Sequence, residues 1–299
     1  MTLHLGLDLG GTNIKSAVLT HHEDEYEVVA EDSLATDAEG GPDTVAQNLI
    51  TTGRQLEDRV GRFDTVGLGV PGHFEPDTGR IIIFPNLPGP WPGYPLRDKI
   101  SDALAAPTWI INDARAFTLG EGIMGAGRGR GTVICMTLGT GVGGGIMIDG
   151  RLHRGESGVA GELGHQIVMP DGPVCGCGNR GCVEAVTRAG VLAALAGKET
   201  AAEVYEAARE GDERSVAAVQ QVTDYLGIGL ANVVTMIGPG RIVIGGGIAE
   251  AGEGVFGPIE DAVRSRVTLV PDEAYEIVPA ELGRSAGAIG AALAGVIRP

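Results

Sequence analysis

The chain has 299 residues, 43% hydrophobic and 20% charged, a balance that suits one large or two medium globular domains and argues against disorder. Its formal net charge of −17 disfavours nucleic acid and anionic membranes as partners, because both require a basic footprint. Its 50 glycines cluster beside apolar runs without a period, which excludes collagen and points to turns where backbone approaches something closely.

The opening residues carry no basic stretch followed by an apolar one, so no signal peptide is expected. The best membrane candidate, 216–237, contains Gln220, Gln221, Asp224 and Asn232 and is too polar to span a bilayer, so a soluble cytoplasmic protein is the expectation. Apolar runs predict strands over 3–9, 14–19 and 26–32, the first two joined by a turn at Gly10-Gly11. Val45, Leu49, Leu56 and Val60 form the stripe of a helix over 43–60. Strands over 64–70 and 80–84 follow, then a proline-rich irregular segment over 85–95. A strand over 107–111 ends at Asn112-Asp113, with a helix over 114–124 behind it.

The opening pattern then recurs: a strand over 133–138, a glycine turn, and a strand over 142–148 closed by Asp149-Gly150. Asp8-Leu9-Gly10-Gly11-Thr12 lines up with Thr137-Leu138-Gly139-Thr140-Gly141, an internal duplication that implies two related domains. Their boundary falls near 113–131, where Gly125, Gly127, Gly129 and Gly131 punctuate the chain. Beyond it the sequence is loop-rich to Cys182 and then helical, the longest stretch being 213–237. A short strand over 241–244 ends in Gly245-Gly246-Gly247, and helices over 257–267 and 285–297 complete the chain.

The two glycine turns carry the first chemical signal. Backbone amides freed by glycine can point at phosphate oxygens, and Thr12 and Thr140 add a hydroxyl at matched places. Only the first turn has an acid, Asp8, which beside a phosphate cradle suits Mg²⁺. Either turn alone reads as a tight hairpin; the pair favours phosphate. No P-loop is present, and Gly125, Gly127 and Gly129 precede a strand, as a connector would. Asp113 stands where a strand stops and a helix starts, a place for a helix cap or for a ligand-facing acid.

The second signal is Cys175, Cys177 and Cys182 with His165 upstream, three thiolates and an imidazole that make a tetrahedral zinc set. Three free thiols are the alternative, whereas a redox pair fits C-x-C poorly. Cys135, inside an apolar strand, reads as a buried small hydrophobe. Glu162 and His165 are three apart and share a face if helical, and Glu184 follows the last cysteine closely. If zinc ties these segments together, the three acceptors converge as a polyol site would require; singly, each reads as a surface acid or a core histidine.

These residues resemble the ROK family of sugar kinases, within the actin-like ATPase superfamily, most of all its bacterial ATP-dependent glucose kinases. The resemblance runs through the whole chain: residues 8–15 resemble the first phosphate motif, Gly69-Val70-Pro71-Gly72 and Asn86-Leu87 the sugar-side loops, Asn112-Asp113-Ala114 the catalytic segment, and 138–143 the second phosphate motif. Residues 161–165 and the segment from Cys175 to Glu184 match the family signature, and Gly245-Gly246-Gly247-Ile248 resembles the adenosine-side turn. The resemblance implies an α/β fold of two duplicated actin-like (ribonuclease H-like) domains with an inter-domain cleft. It divides the chain into 1–112, with the helix at 285–299 packing back on it, and a larger domain over 113–284 that contains the zinc loop.

The resemblance further implies that Asp113 is the general base on the sugar hydroxyl. Gly72, Asn86, Asn112, Glu162, His165 and Glu184 would hold the sugar. Asp8, Gly10, Gly11, Thr12, Asn13, Lys15, Gly139, Thr140, Gly141, Gly246 and Gly247 would line the ATP–Mg²⁺ site. His165, Cys175, Cys177 and Cys182 would ligate structural Zn²⁺. The implied activity is ATP-dependent phosphorylation of glucose at its 6-hydroxyl, at the head of glycolysis, by a cytoplasmic homodimer or homotetramer. A kinase for N-acetylmannosamine, N-acetylglucosamine, mannose or fructose, and a sugar-binding protein without turnover, are the alternatives. A zinc hydrolase ranks low, because four protein ligands leave no open position for water. One departure is visible: where the family carries an aromatic and a serine-rich step, this chain has Ala185-Val186-Thr187-Arg188. With its first strand starting at residue 3, the N-terminal helix-turn-helix of the family's repressors is not expected.

Overall fold

The computed structural model describes residues 2–22, 25–85 and 87–298. The chain divides into two compact units, 1–125 with 282–299, and 126–281.

In the first unit the strands are β1 (Thr2–Leu9), β2 (Asn13–His22), β3 (Glu25–Ala35), β4 (Thr65–Val70), the small pair β5 (His73–Phe74) and β6 (Ile81–Ile83), and β7 (Thr108–Asn112). Its helices are α1 (Gly41–Val60), α2 (Leu96–Leu104) and α3 (Asp113–Ile123). The main sheet runs β3-β2-β1-β4-β7, antiparallel on the β3 side and parallel from β1 to β7. In this register Asp8 lies opposite Gly69, and Val70 opposite Asn112, so three parallel strands bring their carboxyl ends together. Open α/β sheets bind ligands there.

The second unit repeats the plan. Its strands are β8 (Thr132–Leu138), β9 (Val142–Ile148), β10 (Arg151–Leu152), β11 (Arg241–Gly245) and β12 (Glu276–Pro279). Its helices are α4 (Val183–Thr187), α5 (Ala189–Ala196), α6 (Ala201–Arg209), α7 (Glu213–Ile237) and α8 (Glu253–Arg264). The sheet order is β10-β9-β8-β11-β12, with β9 and β10 antiparallel and β8, β11 and β12 parallel. Each sheet therefore has the same order and the same switch from antiparallel to parallel, which is the duplication expected from the two glycine turns. The longest helix, α7, spans the predicted 213–237.

The final helix, α9 (Ala286–Ile297), belongs to the first unit and packs on β1, β4 and α3. Its small residues let it lie almost on the sheet backbone: a Cβ at Gly67 would collide with the carbonyl oxygen of Ala291. α3 packs against α9 and sits in the first unit, so the division after residue 125 lies within 113–131 and later than the 112/113 bound that the resemblance implied. Each unit has its own hydrophobic core: the first is built from β1, β4, α1 and α2 with Phe63, Phe84 and Trp91, the second from β8, α7, α8 and β11 with Tyr205, Phe256 and Tyr275. Among the described residues, no helix is long and apolar enough to cross a membrane.

Candidate active site and metal centre

In the first unit, β1 ends on Asp8-Leu9 and turns through Gly10 to Asn13. The Gly10 amide donates to the Asn13 carbonyl at 3.1 Å, closing the turn, and Gly11, Thr12 and Asn13 are exposed. Thr36 holds the turn from outside. Its amide donates to the Thr12 carbonyl at 2.8 Å and its hydroxyl to the Gly10 carbonyl at 2.6 Å. Thr36 is fully buried, and no sequence motif marks it. Lys15 faces Asp8 across the β1–β2 register.

Burial first, and then the neighbouring Asp113, push the Asp8 carboxyl up to about 7, with Lys15 opposing the shift. The two acids therefore share one patch at the strand ends. A Cβ at Gly287 of α9 would lie 2.5 Å from Asp8 Oδ2, so the helix backbone closes the back of that patch. Asp113 is the first residue of α3 and Asn112 is its cap. Asn112 Oδ1 accepts from the amides of Ala114 at 3.1 Å and Arg115 at 3.2 Å. This is a strong N-cap, and it leaves the first-turn acid Asp113 oriented by the helix start. Asn112 Nδ2 lies 3.5 Å from the Gly72 carbonyl, which places Gly72 beside Asn112-Asp113. Asn86 lies outside the described residues.

In the second unit, the turn after β8 is closed by the Gly139 amide donating to the Gly141 carbonyl at 2.9 Å, with Thr140 exposed. Gly246 abuts the backbone of Leu138, and the Ile248 amide donates to the Leu138 carbonyl at 3.0 Å. The turn at Gly245 to Ile248 thus lies against the turn that follows Leu138. Glu162 and His165 stand at the two ends of a single 3-10 turn, Leu163–His165, and the His165 amide donates to the Glu162 carbonyl at 3.1 Å. Gly164 within that turn packs on the Val142 backbone so closely that a Cβ would collide with its carbonyl oxygen.

His165, Cys175, Cys177 and Cys182 bring one ligand atom each to within 4.8 Å of one another, the one group of metal-ligating side chains among the described residues that could hold an ion. Cys175 Sγ is 3.6 Å from His165 Nδ1, and Cys177 Sγ is 3.7 Å from Cys182 Sγ. With bond lengths of about 2.3 Å to sulfur and 2.0–2.1 Å to nitrogen, a tetrahedron has edges of about 3.8 Å between sulfurs and 3.6 Å between sulfur and nitrogen. The donor set thus has the size and chemistry of a zinc site. Burial, then the neighbouring Cys177 and Cys175 thiols, pushes the Cys182 thiol up, so its thiolate calls for a cation beside it. Cys135 is buried away in β8. Glu184 joins the group: its Oε1 is 3.6 Å from Cys175 Sγ, and its Oε2 accepts from the Val142 amide at 3.0 Å. His165 and Glu184 thus converge on Cys175. The atypical step after Glu184 continues α4, with Val186 and Thr187 buried and the Thr187 hydroxyl donating to the Val183 carbonyl at 2.7 Å.

Two duplicated sheets, each with a glycine turn at a strand end, one acidic pair and one Cys/His cluster, define an actin-like fold carrying a sugar-kinase signature. Residues 4–295 match the ROK family, and the chain belongs to it. It is 34% identical to a glucokinase of Thermotoga maritima, with 96% of this chain and 95% of the relative covered. Among solved structures it is similar to a ROK hexokinase from Thermus thermophilus, with a TM-score of 0.88, 34% identity and 99% of each chain covered. It is also similar to a ROK glucokinase from Streptomyces griseus in complex with glucose and AMPPNP, with a TM-score of 0.82, 31% identity and 98% and 99% covered.

Proposed function

We propose that this ROK protein is an ATP-dependent sugar kinase that transfers the γ-phosphoryl group of ATP to the 6-hydroxyl of glucose. The observation that carries the reading is the pairing of Asp8, at the end of β1, with Asp113, directly after β7 on the far side of β4, beside a glycine turn. The similarity to glucokinases over nearly the whole chain supports glucose as the sugar.

Phosphoryl transfer asks a protein for positioning and charge stabilisation more than for covalent chemistry. Asp113 accepts the proton of the attacking sugar hydroxyl, and Asn112 keeps it oriented through the helix cap. Glu162 and Glu184 accept from the other hydroxyls and the His165 Nε2–H donates to one, with Gly72 and Asn86 completing the sugar side. With Gly10 and Gly139 closing the turns, the amides and hydroxyls of Gly11-Thr12-Asn13 and of Thr140-Gly141 face the phosphates, with Lys15 behind the first turn and Gly246-Gly247 towards the nucleoside. Asp8, held above the usual carboxylate range by burial and by Asp113, has the environment a divalent cation relieves, and Mg²⁺ there would neutralise phosphate charge. His165, Cys175, Cys177 and Cys182 would hold a structural zinc. His165 Nδ1 faces the thiols, which leaves Nε2 for a sugar hydroxyl.

An ADP-release assay over a panel of sugars tests this. Glucose is expected to lead in kcat/KM. An N-acetylated sugar ahead by about tenfold, about 1.4 kcal/mol of transition-state preference, would remove glucose and keep the kinase. Sugar binding with no ADP release would remove the kinase.

A further inference from the structure

The second glycine turn has no side chain of its own to fix it, and the structure shows what does. Glu184 Oε2 accepts the amide of Val142, the residue that follows the turn, at 3.0 Å. The same oxygen lies so flat against the turn that a Cβ at Gly141 would sit 2.7 Å from it. At the other end, the Gly139 carbonyl accepts from the amide of Ala189 at 2.9 Å. Both ends of the turn are thus gripped by one stretch of chain that begins at Cys182, a member of the Cys/His cluster, and runs through α4 to the start of α5. The other carboxylate oxygen of Glu184 points back to Cys175 at 3.6 Å. A charged acceptor on a backbone amide is a strong, short-range restraint.

We propose that Glu184 is a positioning residue for the nucleotide phosphates as well as a sugar ligand: through Val142 it sets the second phosphate turn, so that ATP affinity depends on Glu184 even with no sugar present. This rests on the kinase reading above. It makes the carboxylate a shared part of two binding sites, and such coupling is reciprocal: what disturbs the turn disturbs the sugar.

The test is calorimetric titration of the zinc-loaded full chain with ATP and Mg²⁺ in the absence of sugar, and separately with glucose in the absence of nucleotide. Glu184→Ala is expected to weaken both, ATP by about tenfold. Glu184→Gln keeps an oxygen that can accept from Val142, so it should restore ATP affinity while glucose affinity stays low. Glu162→Ala should weaken glucose alone. Gly141→Ala, which pushes the carboxylate aside, should weaken glucose although residue 141 belongs to the phosphate turn. ATP affinity within about twofold of wild type in a folded, zinc-loaded Glu184→Ala overturns the proposal. Should that variant not fold, unchanged glucose affinity in Gly141→Ala overturns it instead. A wild-type chain that binds neither ATP nor glucose overturns the kinase reading and this inference with it, whereas a wild type that binds both isolates the role of Glu184.

Discussion

Two short helices each present a carboxylate in their first turn, Asp113 on α3 and Glu184 on α4, and they are held in opposite ways. The residue before α3 is Asn112, whose side chain accepts two amides of the first turn; the helix start is complete within four consecutive residues. The residue before α4 is Cys182, whose side chain makes no capping hydrogen bond; α4 is fastened instead by a loop that returns from Cys175 and by the Cys/His cluster. One acid is placed by local chemistry, the other by ligands spread over eighteen residues of chain, from 165 to 182. Local and non-local fastening should therefore fail under different perturbations.

The largest separation is expected from Asp113→Asn. The change keeps shape and one acceptor but removes the proton acceptor, so kcat should fall by on the order of 10²–10⁴-fold while the affinities for glucose and ATP hold. An Asp113 that served only its helix would tolerate Asn, which suits helix N-termini about as well. Near-normal turnover in this variant would place the base elsewhere and dissolve the contrast between the two acids.

Asp8 gives the second effect, through pH. Its folded carboxyl is raised to about 7, whereas an unfolded aspartate ionises near 3.8. Below about 3.8 both states carry the proton and the group takes nothing from stability. As pH rises from there to about 7, the unfolded chain ionises first, and stability falls by up to about 1.4 kcal/mol per pH unit before levelling off. In metal-free protein, Asp8→Asn should therefore be more stable than wild type at pH 8, by on the order of 2–4 kcal/mol as an upper bound, with the gap closing towards pH 4. Denaturant melts at the two pH values measure it. A gap that does not shrink on acidification would mean that Asp8 is not the group under strain.

Metal removal probes the other side of the comparison. Chelation should loosen 161–187 in hydrogen exchange and weaken glucose binding by about 10–100-fold, while amides of 113–123 keep their protection. Cys182→Ser should behave like the chelated protein. Equal loss of protection around both acids would show that α3 also depends on the metal.

How much of this was legible in the sequence follows the same local versus non-local line. Asp8-Leu9-Gly10-Gly11-Thr12 and its echo at 137–141 announced two matching sheets because strand, turn and strand are contiguous. Asn112-Asp113 showed a helix start, and the thiols of Cys175, Cys177 and Cys182 an enclosed ligand set, for the same reason. Thr36 carried no sign, since its job of holding Gly10 and Thr12 depends on partners more than twenty residues away. α2 went unread behind the prolines, although Leu96, Ile100 and Leu104, all buried, keep helical spacing. α8 starts at Glu253, four residues before the predicted start, because Pro258 reads as a helix opener and stands inside the helix instead. The grip of Glu184 on Val142 joins residues 42 apart and needed coordinates.

The smallest effect sharpens the comparison most. Asn112→Ala removes the acceptor for the Ala114 and Arg115 amides and should cost about 1 kcal/mol, the ordinary value of an N-cap. Asn112→Asp keeps an acceptor and should recover that stability, but it sets a second carboxylate beside Asp113, so its kcat should stay below wild type. If α3 is fastened locally, the stability lost in Asn112→Ala is the same with zinc bound and with zinc removed, because independent sites add. Thermal melts of wild type and Asn112→Ala, each with and without chelator, form a four-way cycle that reads the coupling directly. Additivity within about 0.5 kcal/mol means that the two acids are held by separate devices, and a larger interaction energy means that metal and cap act as one.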